Sequence, residues 1–433
     1  MTARDTALSV LIACRREQAW SDGSLKRQIA KDKLDRRDAA LATRLCFGVL
    51  QNRLLLDEWI GRFLRCSRSD LQPVVLDILR LAVYQICFMD RIPASAAVDQ
   101  AVEQGKRLAN RQAAGLINGV LRNMLRQPER LTLPEDLSLR YSHPQELVAL
   151  LSQAVPPNEL EALLQADNTW PETTVQINTT RATAEQAAAA LSREGFTCKP
   201  HPWLCDCVIL SGGSIEASAA YSDGWIYAQD PAARLAVLAA GPRPGMRVLD
   251  CCAAPGGKSF AAGICMEGRG EILSCDIHPH KIKLIEQGAR RLALELIHAQ
   301  VHDAASEEQG WADAFDLVIA DVPCSGLGVI RKKPDIRYKP VEPMARLPEI
   351  QKAILRTQAQ YVKPGGVLLY STCTILPREN QAVVEAFLRD HPAYSLQPFC
   401  LSGDLCAPDG MLTLYPHIHG TDGFFVAKLR RNP

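Results

Sequence analysis

Apolar positions recur at helical spacing almost without interruption over the first 128 residues. Leu8, Leu11 and Ile12 repeat on one face, as do Leu54, Leu55, Trp59 and Phe63. Between residues 74 and 86, Val74, Leu76, Ile78, Leu79, Leu81, Ala82, Tyr84 and Ile86 leave hardly a polar side, which predicts a helix at the centre of a bundle. Asp22-Gly23-Ser24, Pro93 and Asn110 punctuate the runs, the last two ahead of helices expected over 94–109 and 111–125. Residues 1–135 therefore read as an all-α helical domain with short connections.

The regime changes at Pro134, Pro144 and Pro156-Pro157. Residues 140–228 mix short helices (144–153, 157–165, 183–194) with short strands (174–178, 208–210, 225–227), which predicts a small α+β domain. From 229 to 433 apolar strands at 248–251, 272–276, 317–320 and 367–371 alternate with helices at 257–262, 280–294, 347–362 and 379–388. An antiparallel pair at 411–415 and 424–429 closes the chain. This alternation predicts an α/β, Rossmann-like fold on a mainly parallel sheet, with ligands bound at the carboxyl ends of the strands.

Composition removes whole classes of answer. At 433 residues, 47% hydrophobic and 22% charged, the chain has ample material for several globular cores. Apolar runs such as 235–240 fall far short of the roughly 18 residues a membrane span needs. Residues 7–14 are apolar, but Asp5 precedes them and Arg15 and Arg16 follow, so an amphipathic helix is expected rather than a signal sequence. Fifteen cysteines without a C-x-x-C pair fit neither a disulfide framework nor a zinc ribbon, and reduced thiols in a cytoplasmic protein are expected. His278 and His280, like His417 and His419, lack the further ligands a metal site needs, so no metal is expected.

The net charge of +1 hides an asymmetry that composition alone does not show. Residues 1–140 hold 23 Lys and Arg against 16 Asp and Glu, and the remainder 26 against 32. A basic first third suits a polyanion such as nucleic acid, or else simply solvated helix faces.

Chemistry concentrates at strand ends. Val248-Leu249-Asp250-Cys251-Cys252-Ala253-Ala254-Pro255-Gly256-Gly257-Lys258-Ser259 runs from strand through glycine turn into helix, an arrangement that brings backbone N–H groups to a ligand. A phosphate loop would need glycine where Cys252 stands, and the spacing is not that of a dinucleotide site. Asp276, Asp303 and Asp321 end or follow successive strands. Acids so placed suit the ribose and adenine of a nucleoside without a phosphate tail, such as S-adenosylmethionine, although each could also cap its own loop. Asp321-Val322-Pro323-Cys324-Ser325-Gly326 and Tyr370-Ser371-Thr372-Cys373-Thr374 add two thiols at the same edge, either small buried hydrophobes or nucleophiles.

Four motifs in order carry a resemblance: residues 250–258; residues 321–326 with Arg331, Pro334, Asp335 and Ile336; residues 371–373 with Pro377 and Glu379; and Gly420-Thr421-Asp422-Gly423-Phe424-Phe425. They resemble the RNA cytosine-5 methyltransferases of the NOL1/NOP2/Sun (Fmu) family. Residues 97–103 and 115–122 likewise resemble the NusB-type helical RNA-binding domain. Two departures stand out: Gln229-Asp230-Pro231-Ala232-Ala233 where the family tends to have Ala and Ser after Gln-Asp, and His302-Asp303-Ala304 for the usual Gly-Asp-Gly.

The resemblance implies methyl transfer from S-adenosyl-L-methionine to carbon-5 of a cytosine. It assigns Cys373 as nucleophile and Cys324 as the thiol assisting release, a choice that residue chemistry alone leaves open. Cofactor contacts then fall on Cys252, Ala253, Ala254, Pro255, Gly256, Gly257, Lys258, Asp276, Asp303 and Asp321. Both domains together imply a bacterial enzyme whose partner is 16S rRNA, free or in a partly assembled small subunit, with a loop or flipped base as target. The helical domain and the small α+β domain would grip flanking RNA, and a monomer is the default expectation. Arg331, Lys332 and Lys333 form a basic cluster suited to phosphates, or else a solvated turn. The competing reading is an RNA-binding ribosome-assembly factor with a non-catalytic methyltransferase fold, against which the intact Cys373, Cys324 and Asp321 argue. An amino-group methyltransferase would need an Asn/Asp-Pro-Pro-aromatic loop where this chain has Pro323-Cys324.

Overall fold

The computed structural model describes residues 1–17, 20–402 and 405–433. The chain forms two compact units, Met1–Thr169 with Ile330–Lys339, and Trp170–Val329 with Pro340–Pro433. Residues 140–228, expected as one domain, are divided between them.

The first unit is helical. Helices Ala3–Glu17, Ser21–Asp32, Arg36–Gln51, Arg53–Gly61, Pro73–Phe88, Ala94–Leu108 and Arg111–Arg126 follow one another, and three short helices lie between Leu137 and Ala166. Pro73–Phe88 takes the central place its sequence predicts, burying Ile78, Leu79, Leu81, Ala82, Val83 and Tyr84. Asn110 caps the last long helix by accepting from the Ala113 N–H at 2.8 Å. Asp22-Gly23-Ser24 does not break the chain as expected. It forms the first turn of Ser21–Asp32, where an acidic side chain suits the helix dipole and one glycine costs only about 1 kcal/mol.

Ile330–Lys339, remote in sequence, belongs to this helical core. The fully buried Arg337 guanidinium donates to the carbonyls of Gln51 (3.0 Å) and Asp167 (3.2 Å) and to Asn168 Oδ1 (2.8 Å). Ser21 Oγ donates to Asp335 Oδ1 at 2.6 Å, and Tyr338 OH donates to the Leu50 carbonyl at 2.8 Å. Within the basic run at 331–333, Arg331 is buried, Lys332 half-buried and Lys333 exposed.

The second unit carries two main sheets. Strands β1 (Thr173–Ile177), β2 (Thr197–Pro200), β3 (Cys207–Ser211) and β4 (Ile226–Ala228) form a small antiparallel sheet in the order β2-β3-β1-β4. The large sheet contains β5 (Arg247–Asp250), β6 (Glu271–Asp276), β7 (Ile297–Val301), β8 (Phe315–Asp321), β9 (Val362–Thr372) and β10 (Tyr394–Leu396). After a two-stranded pair, β11 (Phe399–Cys400) and β12 (Cys406–Ala407), come β13 (Met411–Leu414) and β14 (Phe424–Arg431). The order β10-β14-β9-β8-β5-β6-β7 has parallel pairing from β9 through β7, while β14 inserts antiparallel between β10 and β9 and also pairs with β13.

The period-two alternation of the strands sorts their side chains onto two faces. Val248, Leu317, Ile319, Leu369, Phe424 and Val426 join one core with the helices Pro231–Ala240, Gly257–Cys265 and Pro279–Arg291. Leu249, Val318, Ala320, Leu368, Tyr370, Phe425 and Ala427 join the other, with Leu347–Ala359 and Gln381–Asp390. Both faces are covered, which explains why these strands read as continuous apolar runs. One thiol expectation is corrected: the β11–β12 pairing brings Cys400 and Cys406 to a Cα separation of 4.1 Å, and a disulfide joins them.

Candidate active site

Parallel register places the chemical residues at one edge. Asp250 ends β5, Asp276 ends β6, Asp321 ends β8, and Cys373 follows the last residue of β9. Asp321 lies level with Ser371, so the Pro-Cys and Thr-Cys loops leave adjacent strands at the same height.

The turn after β5 shapes a cavity of about 180 Å³ lined by Gln229, Asp250, Cys252, Ala253, Ala254, Pro255, Gly257, Lys258 and Asp321. Gly256 turns the chain with φ of 111°, and a Cβ there would lie 2.4 Å from the Phe260 ring, so only glycine fits ahead of the helix Gly257–Cys265. Read over the described residues, the cavity wall does not include Asp276 or Asp303. Asp276 accepts from the His278 N–H (2.9 Å) and pairs with Lys281 Nζ (3.4 Å), while the exposed Asp303 accepts from the Ala305 N–H (3.0 Å).

Electrostatics are concentrated on three groups. Lys258 Nζ donates to Asp321 Oδ2 at 2.6 Å and lies 5.0 Å above the Phe424 ring. Burial works against the Lys258 charge, but Asp321, Asp250 and Cys373 more than offset it and hold its pKa above the ordinary lysine value. The other Asp321 oxygen accepts from Ser371 Oγ at 2.8 Å. Asp250 is fully buried, and burial pushes its carboxyl up to about 7 despite the hydrogen bond from Ser259 Oγ (2.7 Å). Its second oxygen, Oδ1, has no hydrogen-bond partner.

The two thiols meet. Cys324 Sγ lies 3.1 Å from Cys373 Sγ and accepts from the Cys373 N–H at 3.3 Å. Its pKa is held well above the ordinary thiol value, first by the hydrogen bond with Cys373, then by desolvation and the negative charges of Glu379 and Asp321. Sequence reasoning did not assign roles to the side chains that support these loops: Ser259, Ser371, Gln351, Glu379 and Asn380. The Pro377 and Glu379 spacing was the one available signal.

Comparison with known proteins identifies the family. Residues 237–430 match the family model "16S rRNA methyltransferase RsmB/F", residues 1–126 the NusB family, and residues 143–215 the RsmF/B-like ferredoxin-like domain. The chain is 35% identical to the "Probable ribosomal RNA small subunit methyltransferase B" of Bacillus subtilis over 99% of both chains. Among solved structures, PH0851 matches with a TM-score of 0.82 at 23% identity, covering 100% of this chain and 99% of that one. NSun6 from Pyrococcus horikoshii, solved with SFG, matches with a TM-score of 0.60 at 20% identity over 67% of this chain and 98% of its own. These solved structures establish the fold, and full-length similarity to the Bacillus subtilis relative establishes the family: the chain belongs to the RsmB/F family of 16S rRNA methyltransferases.

Proposed function

We propose that this protein transfers a methyl group from S-adenosyl-L-methionine to carbon-5 of a specific loop cytosine in 16S rRNA, through a covalent bond between Cys373 and carbon-6 of the base. The observation that carries the reading is the 3.1 Å approach of two thiols at the strand edge whose cavity is lined by the Lys258–Asp321 pair. An amino-group methyltransferase has no use for either sulfur.

The residues present fit the cofactor. The unpartnered Asp250 Oδ1 in a cavity-lining residue calls for a hydrogen-bond donor, which an amino acid or ribose supplies. The backbone of residues 252–257, Lys258 and Asp321 would hold it, and the Asp276 and Asp303 strand ends lie at the edge where an adenosine would extend. When bound, the cofactor supplies an electrophilic methyl group on a sulfonium.

Carbon-5 of cytosine is too weak a nucleophile alone. Addition of the Cys373 sulfur to carbon-6 makes carbon-5 enamine-like, splitting one difficult step into two. Cys324 keeps its proton before the reaction, because its hydrogen bond with Cys373, its burial and the carboxylates of Glu379 and Asp321 oppose ionisation. Once Cys373 is bonded to carbon its sulfur is an uncharged thioether and a weak hydrogen-bond acceptor, so the largest cause of that opposition is reduced. Cys324 then gives up its proton to water more readily and, as the thiolate, takes the carbon-5 proton, and elimination returns the Cys373 sulfur with the electron pair of the carbon–sulfur bond.

The test is transfer of tritiated methyl from S-adenosylmethionine to unmethylated small-subunit rRNA and to 30S particles, followed by nucleoside analysis. The expected product is 5-methylcytidine, absent with Cys373→Ala. An N-methylated nucleoside, or full activity in Cys373→Ala, overturns the reading. Absence of transfer to every rRNA form favours the assembly-factor alternative.

A further inference from the structure

Buried side chains hold the residues that flank each thiol, in addition to the ladder pairing of Thr372 with Phe425. Around Cys324, Glu379 Oε2 accepts from the Ser325 N–H at 2.9 Å and from Gln351 Nε2 at 3.0 Å, and the same Gln351 amide donates to the Pro323 carbonyl at 3.0 Å. One carboxylate and one amide thus fix the residue before Cys324 and the residue after it. Around Cys373, Asn380 spans the thiol: its Oδ1 accepts from Thr372 Oγ1 at 2.6 Å, and its Nδ2 donates to the Thr374 carbonyl at 3.0 Å, while the Gly328 N–H donates to the Cys373 carbonyl at 3.0 Å. Glu379, Asn380 and Gln351 are fully buried. Tyr370 OH donates to the Glu379 carbonyl at 2.6 Å, and Ser325 Oγ donates to Thr374 Oγ1 at 2.9 Å, tying the two loops together.

We propose that the adjacent residues Glu379 and Asn380 are paired positioning residues, each setting one thiol: Glu379, through Gln351, sets Cys324 for product release, and Asn380 sets Cys373 for attack. The division of labour rests on the roles proposed above for the two cysteines, whereas the clamping itself rests on geometry alone. Buried loop groups need partners, and here a few buried side chains supply them, so the placement of each sulfur depends on the chemistry of Glu379 and Asn380. A misplacement of about 1 Å at a reacting atom costs on the order of 100-fold in rate. Glu379 also contributes a buried negative charge beside Cys324, which favours the protonated thiol before the adduct forms.

Two readouts test this on the full-length protein. In single-turnover methyl transfer to small-subunit rRNA, Asn380→Ala is expected to slow transfer about 100-fold without accumulating adduct. Glu379→Ala is expected to transfer methyl and then accumulate a gel-stable protein–RNA adduct, and adding it to Cys324→Ala changes adduct decay no further. Glu379→Gln keeps an acceptor for the Ser325 N–H but turns a donor toward Gln351, so it gives an intermediate effect and serves if Glu379→Ala fails to fold. Separately, and without RNA, iodoacetamide labelling read by mass spectrometry should change selectively at Cys324 in the Glu379 variants and at Cys373 in Asn380→Ala. If Cys324→Ala itself traps no adduct, the assignment of thiol roles fails while the labelling arm still judges the clamps. Equal changes at both thiols in both variants, or labelling rates like wild type, overturn the proposal.

Discussion

Replacing Asp250 by Asn should change how stability depends on pH, because Asp250 is the acid whose folded and unfolded states differ most clearly. Its carboxyl is fully buried at the end of β5, with a pKa of about 7 in the fold against an ordinary 3.8. A carboxyl whose folded pKa is raised binds its proton more tightly folded than unfolded. Its stability contribution is therefore greatest below pH 3.8 and is lost as pH rises toward and through 7. At about 1.36 kcal/mol per unit, the wild type should lose about 3 kcal/mol relative to Asp250→Asn between pH 4.5 and pH 8.5. At low pH, where the Asp250 carboxyl carries its own proton, the variant starts close to the wild type, since its amide can still accept from Ser259 Oγ and an N–H stands in for the carboxyl O–H. Urea unfolding of both proteins at half-unit pH steps gives the difference directly. A difference that stays flat across this range refutes the reasoning that burial dominates at Asp250.

Other substitutions probe the neighbouring contacts. Lys258→Met removes the pair with Asp321 and a cation that lowers the Asp250 pKa, so the pH midpoint of the Asp250 effect should move upward while methyl transfer falls about 100-fold; a stability–pH series and a single-turnover assay read the two. Gly328→Ala would place a Cβ 1.8 Å from the Gly423 carbonyl oxygen, where the Gly328 N–H also donates to the Cys373 carbonyl (3.0 Å); a loss of about 1–3 kcal/mol in urea unfolding and altered Cys373 labelling should follow. Arg337→Met leaves the buried oxygens of Gln51, Asp167 and Asn168 without their donor, so the helical unit should lose about 3–5 kcal/mol by denaturant unfolding followed through its tryptophans.

What was legible in the sequence is what local pattern encodes. The strand–turn–helix of residues 248–259 is local, so its role as cavity wall could be read from spacing, as could the apolar centrality of Pro73–Phe88. Asp276 and Asp303 show the limit of such reading: an acid at a strand end can cap its loop or face a ligand, spacing does not separate the two, and here both make local caps. Long-range placement was not legible. Nothing near Arg337 announces that its acceptors lie at Gln51 and Asp167, and β14 inserts between β10 and β9 although neither neighbour precedes it directly. β2 was missed because its residues are largely exposed and lack the apolar alternation that marks a strand. Glu379 and Asn380 were illegible for a related reason: buried polar residues identify themselves through partners far along the chain.

The central claim is the bond between Cys373 and the base. The most direct measurement is to incubate Cys324→Ala with S-adenosylmethionine and unmethylated small-subunit rRNA, isolate the protein–RNA species that survives a denaturing gel, and map the cross-linked peptide and base by mass spectrometry. The account predicts a 5-methylated cytosine joined through carbon-6 to the peptide containing Cys373, and no such species from the Cys373→Ala/Cys324→Ala double variant. A methylated rRNA with no adduct, or an adduct on any other residue, would contradict it.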